Sequence, residues 1–169
     1  MKRGKFSLSC GFTILELMVS LLIFSLLLGG VYSLLISGNR LWNTDSVKAD
    51  LQAKARNAME AMVKELYGSQ ISLPDVGDSD DEITFQVPDS ISAGEIVWSS
   101  DIRYAANASN QLARTQSGQA DRVIANNVYA VQFDHTDSDR VIIDLTLRKN
   151  TILNEPINFT VSQQVTLRN

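Results

Sequence analysis

The sequence predicts an α+β protein in which one long N-terminal helix packs on an antiparallel β-sheet. Three observations predict this class. Residues 12–36 form an apolar run, residues 41–66 carry apolar side chains three or four positions apart, and residues 83–169 contain short segments in which apolar and polar side chains alternate. No helical pattern of ten residues separates those short segments, which disfavours a parallel sheet with crossover helices.

The apolar run predicts a membrane-spanning first half of the helix. Residues 12–36 exceed the roughly 20 residues that a helix needs to cross the hydrocarbon core of a bilayer. The residues before Gly11 include Lys2, Arg3 and Lys5 but no acid, so the positive-inside rule keeps them in the cytoplasm. We therefore expect a single pass through the inner (cytoplasmic) membrane, with the C-terminal domain outside the cytoplasm.

Residues 37–68 predict an amphipathic second half of the same helix. Asp50 and Lys54 form an acid-before-base pair on its exposed side, and Gly68 followed by Pro74 ends the helix. One apolar stripe runs along this half: Val47, Leu51, Ala55, Ala58, Met62 and Leu66. We expect the stripe to pack on the chain's own sheet, and a coiled-coil partner is the alternative.

An acidic, turn-rich linker is predicted over residues 69–82, and an antiparallel β domain over residues 83–169. The predicted strands are Ile83–Val87, Glu95–Trp98, Ile102–Ala105, Gln111–Thr115, Val128–Phe133, Arg140–Arg148 and Ile157–Arg168. Alternation is clearest in the last two, where these residues share faces: Val141, Ile143, Leu145 and Leu147, then Phe159, Val161, Gln163, Val165 and Leu167. This period is typical of a sheet with one solvated face, so we expect the other face to cover the helix.

Glu16 is the single charged residue between Phe12 and Ile36, and a lone charge in a bilayer is costly. A short basic leader, then Gly-Phe-Thr-x-x-Glu, then some twenty apolar residues, resembles the N-terminus of type IV prepilins and pseudopilins. The resemblance implies a pilin-like fold and a leader peptide, residues 1–11, that prepilin peptidase cuts between Gly11 and Phe12. It also implies N-methylation of Phe12 and a pairing of Glu16 with the N-terminal amine of a neighbouring subunit.

A finer resemblance lies in the later segments "IRYAANASNQLARTQ", "VIANNVYAVQFD" and "VIIDLTLR". They are similar to those of minor pseudopilins of the general secretion pathway J group and of W-type minor pilins. This similarity implies a structural subunit, not an enzyme, that helps to initiate or cap a type IV pilus or a type II secretion pseudopilus. Its partners would be other pilin or pseudopilin subunits. The alternative function is a membrane-anchored periplasmic binding or sensing module.

Charge and cysteine content restrict the remaining functions. The chain carries 15 basic and 19 acidic side chains, and three of the basic ones precede Gly11. The exported part is therefore strongly acidic, which argues against nucleic acid as a partner. Cys10 is the only cysteine, so no intramolecular disulfide can form. A lipid attachment at Cys10 is disfavoured because no apolar region precedes it.

Catalytic and metal-binding patterns are weak. His135 is the only histidine, and we expect it in a hairpin turn because the Asp, Ser and Thr residues beside it favour turns. A catalytic role is disfavoured because no nucleophile accompanies it. We predict no cofactor, and one histidine cannot make a closed zinc site. Two acidic clusters are weak calcium candidates without the order of an EF-hand loop. They are Asp75, Asp78, Asp80, Asp81 and Glu82, and Asp134, Asp137 and Asp139.

Overall fold

A computed structural model describes residues 13–167 of the chain. One helix, α1, spans Ile14–Leu66 and is followed by strands only in this part of the chain. The strands are β1 Gln70–Leu73, β2 Ser79–Asp80, β3 Glu82–Gln86, β4 Pro88–Ser92, β5 Glu95–Trp98, β6 Ile102–Ala106, β7 Gln111–Gln116, β8 Arg122–Asn126, β9 Val128–Asp137, β10 Arg140–Asn150 and β11 Pro156–Thr166. The α+β class predicted from the sequence is confirmed.

The chain divides into two compact units between Trp42 and Asn43. Unit 1 is the part that ends at Trp42, and its described residues belong to α1 apart from Thr13. Unit 2 begins at Asn43 and contains the rest of α1 and all of the strands.

Three antiparallel sheets in unit 2 replace the single sheet that the sequence predicts. Their strand orders are β1-β3-β6-β7-β8, β11-β10-β9-β2 and β4-β5. Each of the seven predicted strands exists, and four strands were not predicted: β1, β2, β4 and β8. Two of these, β1 and β2, lie in the segment 69–82 that was expected to be a linker. They escape prediction because β1 alternates in polarity over only four residues, and β2 consists of two polar residues within a turn-rich, acidic segment.

The core of unit 2 forms between the second half of α1 and the inward faces of the two larger sheets. The predicted stripe is confirmed, with Met59 added to it: Leu51, Ala55, Ala58, Met59, Met62 and Leu66 are buried and Val47 is half-buried. Four alternate residues of β10 are fully buried in the same core: Val141, Ile143, Leu145 and Leu147. The helix stripe therefore packs on the chain's own sheets, as expected.

A partly buried polar cluster ties the end of α1 to the sheet that contains β6 and β7. The Glu65 carboxylate accepts hydrogen bonds from Nε of Arg114 at 2.9 Å and from the hydroxyl of Tyr104 at 3.1 Å. Burial raises the pKa of the Tyr104 phenol, and the negative charge of Glu65 adds to this effect. The Tyr104 ring stacks on Phe85 with 5.7 Å between ring centroids, so the cluster adjoins the apolar core.

A second charged cluster joins α1 to β10. The Asp50 carboxylate accepts from Nζ of Lys54 at 3.0 Å, which confirms the predicted helix pair, and also from Nζ of Lys149 at 2.7 Å. Hydrogen bonds from these two lysines lower the pKa of Asp50. The side chains are about one-third exposed, so this cluster positions β10 on the helix more than it stabilises the fold.

Candidate functional site

The start of α1 is built around Thr13 and Glu16. Thr13 immediately precedes the helix, and its Oγ1 accepts a hydrogen bond from the backbone N–H of Glu16 at 3.2 Å. The Leu17 N–H bonds to the Thr13 carbonyl at 3.2 Å. Threonine at the N-cap with glutamate three residues later is the capping-box order. Sequence analysis missed this cap, although Thr-x-x-Glu before an apolar run is its known signal.

Glu16 also lies in the first turn of α1, where a carboxylate interacts favourably with the helix dipole. The cap and the dipole give Glu16 a local role besides any contact with another subunit. The dipole thus favours an acid at this position without a partner chain, whereas the cap uses only the backbone N–H of Glu16.

The described residues of unit 1 have the surface of a membrane helix. The apolar window in α1 has a mean hydropathy of 2.4 and none of it is buried within the chain. The hydroxyls of Ser20 and Ser25 donate to the carbonyls of Glu16 and Leu22 within the helix, so these polar groups are satisfied without water. By length and composition, this helix can cross a membrane.

The predicted processing site lies outside the described residues. Cys10, Gly11 and Phe12 all precede Thr13, the first residue that the structure describes. Cleavage between Gly11 and Phe12 and methylation of Phe12 therefore remain predictions.

The prediction for His135 was wrong. His135 lies inside β9 rather than in a turn, and only 5% of its surface is exposed. Its Nδ1 is 2.8 Å from the Pro74 carbonyl oxygen, and its backbone exchanges hydrogen bonds with the chain at Gly77 and Asp78. The strand is longer than predicted because the inward alternation of Val131 and Phe133 continues through His135. The histidine therefore fixes the loop after β1.

The acidic side chains of the two clusters do not converge on one point in the described part of the chain. Within residues 13–167, no three His, Cys, Asp or Glu side chains converge to hold a metal ion. Several of these acids have other partners: Glu82 pairs with Arg103, and Asp137 with Arg140. The Asp80 carboxylate caps the N–H of Asp81. Several of the weak calcium candidates therefore take part in surface ion pairs or local turns.

An open groove of about 720 Å³ runs between α1 and β11 in unit 2. Its apolar wall includes Met59, Val63, Phe159 and Val161. The remaining lining residues are polar or charged: Gln52, Arg56, Glu60, Lys64 and Gln163. The groove shows that β11 passes alongside the helix from the level of Gln52 to that of Lys64.

Comparison with known families gives one match, to the prokaryotic N-terminal methylation motif over residues 7–32. Neither curated proteins nor solved structures give a match. The motif match supports a type IV prepilin-like family. It spans the predicted cleavage bond, Glu16 and most of the apolar run, so it agrees with the sequence-based resemblance in this segment.

The motif indicates a type IV pilin-like or pseudopilin-like protein. Proteins with this motif are structural subunits, and the motif implies processing by prepilin peptidase and assembly with other pilin subunits. The long apolar helix fits anchoring in the inner membrane, with a C-terminal domain attached to it.

Proposed function

We propose that this chain is a minor pilin or pseudopilin that helps to initiate or cap a type IV pilus or a type II secretion pseudopilus. The observation that carries the proposal is the methylation motif at residues 7–32, at the start of the exposed apolar run 12–36, whose single charge is Glu16. The diffuse similarity to J-group pseudopilins and W-type minor pilins supports a minor role. So does Cys10 as the only cysteine, since it excludes a disulfide-closed C-terminal loop.

Processing is the first step of the proposal. Prepilin peptidase removes residues 1–11, and the new amine of Phe12 is methylated. The product carries a cation four residues before Glu16 in the sequence, so that a carboxylate and an amine of different subunits can pair within the membrane. A buried charge without its partner costs about 3–5 kcal/mol, which favours the helix register that brings the two groups together.

The processing step is tested by intact mass and N-terminal sequencing of membrane-extracted protein. We expect a chain that begins at monomethylated Phe12 in the parent. Gly11→Leu should leave the precursor uncut, because a bulky side chain replaces the small residue before the bond. Gly4→Leu is the matched control and should be processed normally. Recovery of the parent chain with residues 1–11 attached, from cells with active prepilin peptidase, would contradict the family assignment.

The role of Glu16 is tested by moving its charge. Glu16→Leu removes the charge, whereas the double variant Glu16→Leu/Leu17→Glu keeps one carboxylate in the span but rotates it by about 100° around the helix. We expect normal membrane levels and processing in both variants, since Glu16→Leu removes a charge and so eases insertion, and the double variant keeps the number of charges unchanged. Both should lose crosslinking to sister subunits and should fail in secretion or piliation.

A membrane-anchored binding module gives the opposite result. Its apolar helix serves only as a tether, so both Glu16 variants should retain full function. A Glu16→Leu strain that assembles and secretes like its parent would therefore favour that alternative. Deletion of the gene, with secreted enzymes and surface pili scored separately, identifies which of the two filament systems the subunit serves.

A further inference from the structure

Two hairpins of unit 2 expose apolar side chains to solvent. The tip between β10 and β11, residues 151–155, carries Ile152 and Leu153, which are 81% and 51% exposed. The β4-β5 hairpin carries Ile91 and Ile96, which face each other across the strands and are 77% and 52% exposed. Solvent-exposed apolar pairs on hairpins are typical of contact sites with a membrane or a partner.

The tip at residues 151–155 has a defined conformation. The N–H of Thr151 bonds to the Glu155 carbonyl and the N–H of Asn154 to the Thr151 carbonyl, both at 2.9 Å. The Thr151 hydroxyl oxygen accepts from the Glu155 N–H at 3.1 Å. Since Thr151 is buried and held by these bonds, Ile152 and Leu153 are presented outward on a structured turn.

This tip lies at the end of unit 2 where the chain arrives from the apolar helix. Lys149, just before the tip, bonds to Asp50 of α1. After the tip, β11 runs alongside the helix toward Lys64, as the residues that line the groove show. The tip therefore extends past Asp50 toward Asn43, the first residue of unit 2.

The β4-β5 hairpin leaves unit 2 at the opposite end of α1. The strand before it, β3, ends at Gln86, and Gln86 pairs with Gln70. Gln70 follows the last residue of α1, Leu66, by four positions. The two exposed apolar pairs thus have similar exposure but lie at different ends of unit 2.

The covalent chain keeps the end of unit 2 near Asn43 close to the bilayer. Residues 37–42 alone separate Asn43 from the apolar run that ends at Ile36. Even a fully extended connection of this length spans only about 25 Å. The other end of unit 2 lies farther along the same helix, because residues 43–66 span about 36 Å at 1.5 Å per residue.

The two ends of unit 2 also differ in charge, and this difference again favours the end near Asn43 as the membrane contact. Residues 43–50 and 148–155 together hold three basic and three acidic side chains. The guanidinium of Arg148 lies 5.0 Å from the centre of the exposed Tyr129 ring, and aromatic and basic residues favour membrane interfaces. Residues 88–101 instead hold three acids and no base, so anionic headgroups would repel that hairpin.

We propose that the tip at residues 151–155 docks on the surface of the bilayer that holds the apolar helix. Ile152 and Leu153 enter the headgroup region, and Tyr129 and Arg148 lie at its polar boundary. The contact holds unit 2 against the membrane. This inference rests on membrane anchoring and is independent of the role in a filament.

The proposal is tested with the full chain in liposomes of phosphatidylethanolamine and phosphatidylglycerol. Cys10→Ser removes the only cysteine, and Ile152→Cys or Ile91→Cys then supplies one labelling site for a polarity-sensitive fluorophore. We expect lipids with a nitroxide on the headgroup to quench the label at position 152 several-fold more than the label at position 91. Equal quenching at the two positions would overturn the proposal.

A second measurement separates lipid from protein contacts. A water-soluble maleimide should modify Ile152→Cys more slowly in liposomes than in detergent micelles, and Ile91→Cys at similar rates in both. If position 152 is protected from the maleimide but its label is not quenched by the nitroxide lipid, another protein copy covers the tip and the proposal is wrong.

Discussion

The two halves of α1 use one secondary structure in two different environments. Residues 14–36 expose apolar side chains around the whole helix, whereas residues 43–66 bury a single stripe and expose charges elsewhere. In the first half the hydroxyls of Ser20 and Ser25 donate to backbone carbonyls within the helix itself. In the second half stability comes from packing against the sheets. The distribution of apolar residues around a helix therefore indicates which medium surrounds it.

The largest expected effect comes from a charge placed in the buried stripe. Met62→Asp should lower the free energy of unfolding of unit 2 by about 3–5 kcal/mol, because Met62 is fully buried and the new carboxylate has no partner. Ala53→Asp, at an exposed position of the same helix, should cost less than about 1 kcal/mol. Thermal unfolding of the full chain in detergent measures both. A Met62→Asp variant that melts with the parent would mean that the stripe does not support the fold.

A smaller loss is expected at the polar cluster at the end of α1. Glu65→Gln should cost about 2–3 kcal/mol, because the Arg114 side chain is only 14% exposed and loses its carboxylate. Glu82→Gln breaks a pair with the half-exposed Arg103 and should cost below about 1 kcal/mol. Chemical denaturation of both variants gives the comparison, and equal costs would show that burial of the Arg114 pair has no energetic consequence.

The same cluster predicts sensitivity to alkali. The pKa of Tyr104 is raised in the folded protein by burial and by Glu65, so its contribution to stability is fully present below the unfolded pKa of about 10. As the pH rises above 10, the phenol ionises in the unfolded chain first, and stability falls by up to about 1.4 kcal/mol per pH unit. Tyr104→Phe should reduce this slope. Unfolding curves of parent and variant at increasing alkaline pH measure it.

The sequence predicted the helix stripe and the late strands well because both have strong periodicity. Apolar side chains occupy every second position from Val141 to Leu147, and apolar side chains recur at helical spacing from Leu51 to Leu66. The pattern therefore predicts which face of each element is buried. The strand β4 begins with Pro88 and is fully exposed, so nothing in its polarity marks it. His135 was misplaced because acids and a serine beside it suggested a turn, whereas the pairing of β9 with its neighbours extends the strand.

The candidate site was only partly predictable for a different reason. Glu16 was identified as the one charge of the apolar run, and pairing with a neighbouring subunit, which the resemblance implies, was one explanation of its cost in a membrane. The order Thr-x-x-Glu also marked the start of the helix, since Thr13 caps the helix at the Glu16 N–H. Short-range hydrogen bonds of this kind depend on where the helix begins, and the sequence leaves that boundary uncertain by a few residues.

The smallest expected effect concerns this cap, at the start of the half of α1 that has no packing of its own. Thr13→Ala removes the acceptor for the Glu16 N–H, which should destabilise the first turn by about 1 kcal/mol. Hydrogen exchange of the amides in that turn, measured in lipid nanodiscs, should then accelerate about fivefold. Ser20→Ala also removes a hydroxyl from this half, but that hydroxyl donates to a carbonyl and caps no N–H, so exchange should change little. Equal exchange in the two variants would mean that lipid or a neighbouring group, and not Thr13, accepts hydrogen bonds from the N–H groups of the first turn. Packing and the membrane alone would then stabilise the two halves of α1.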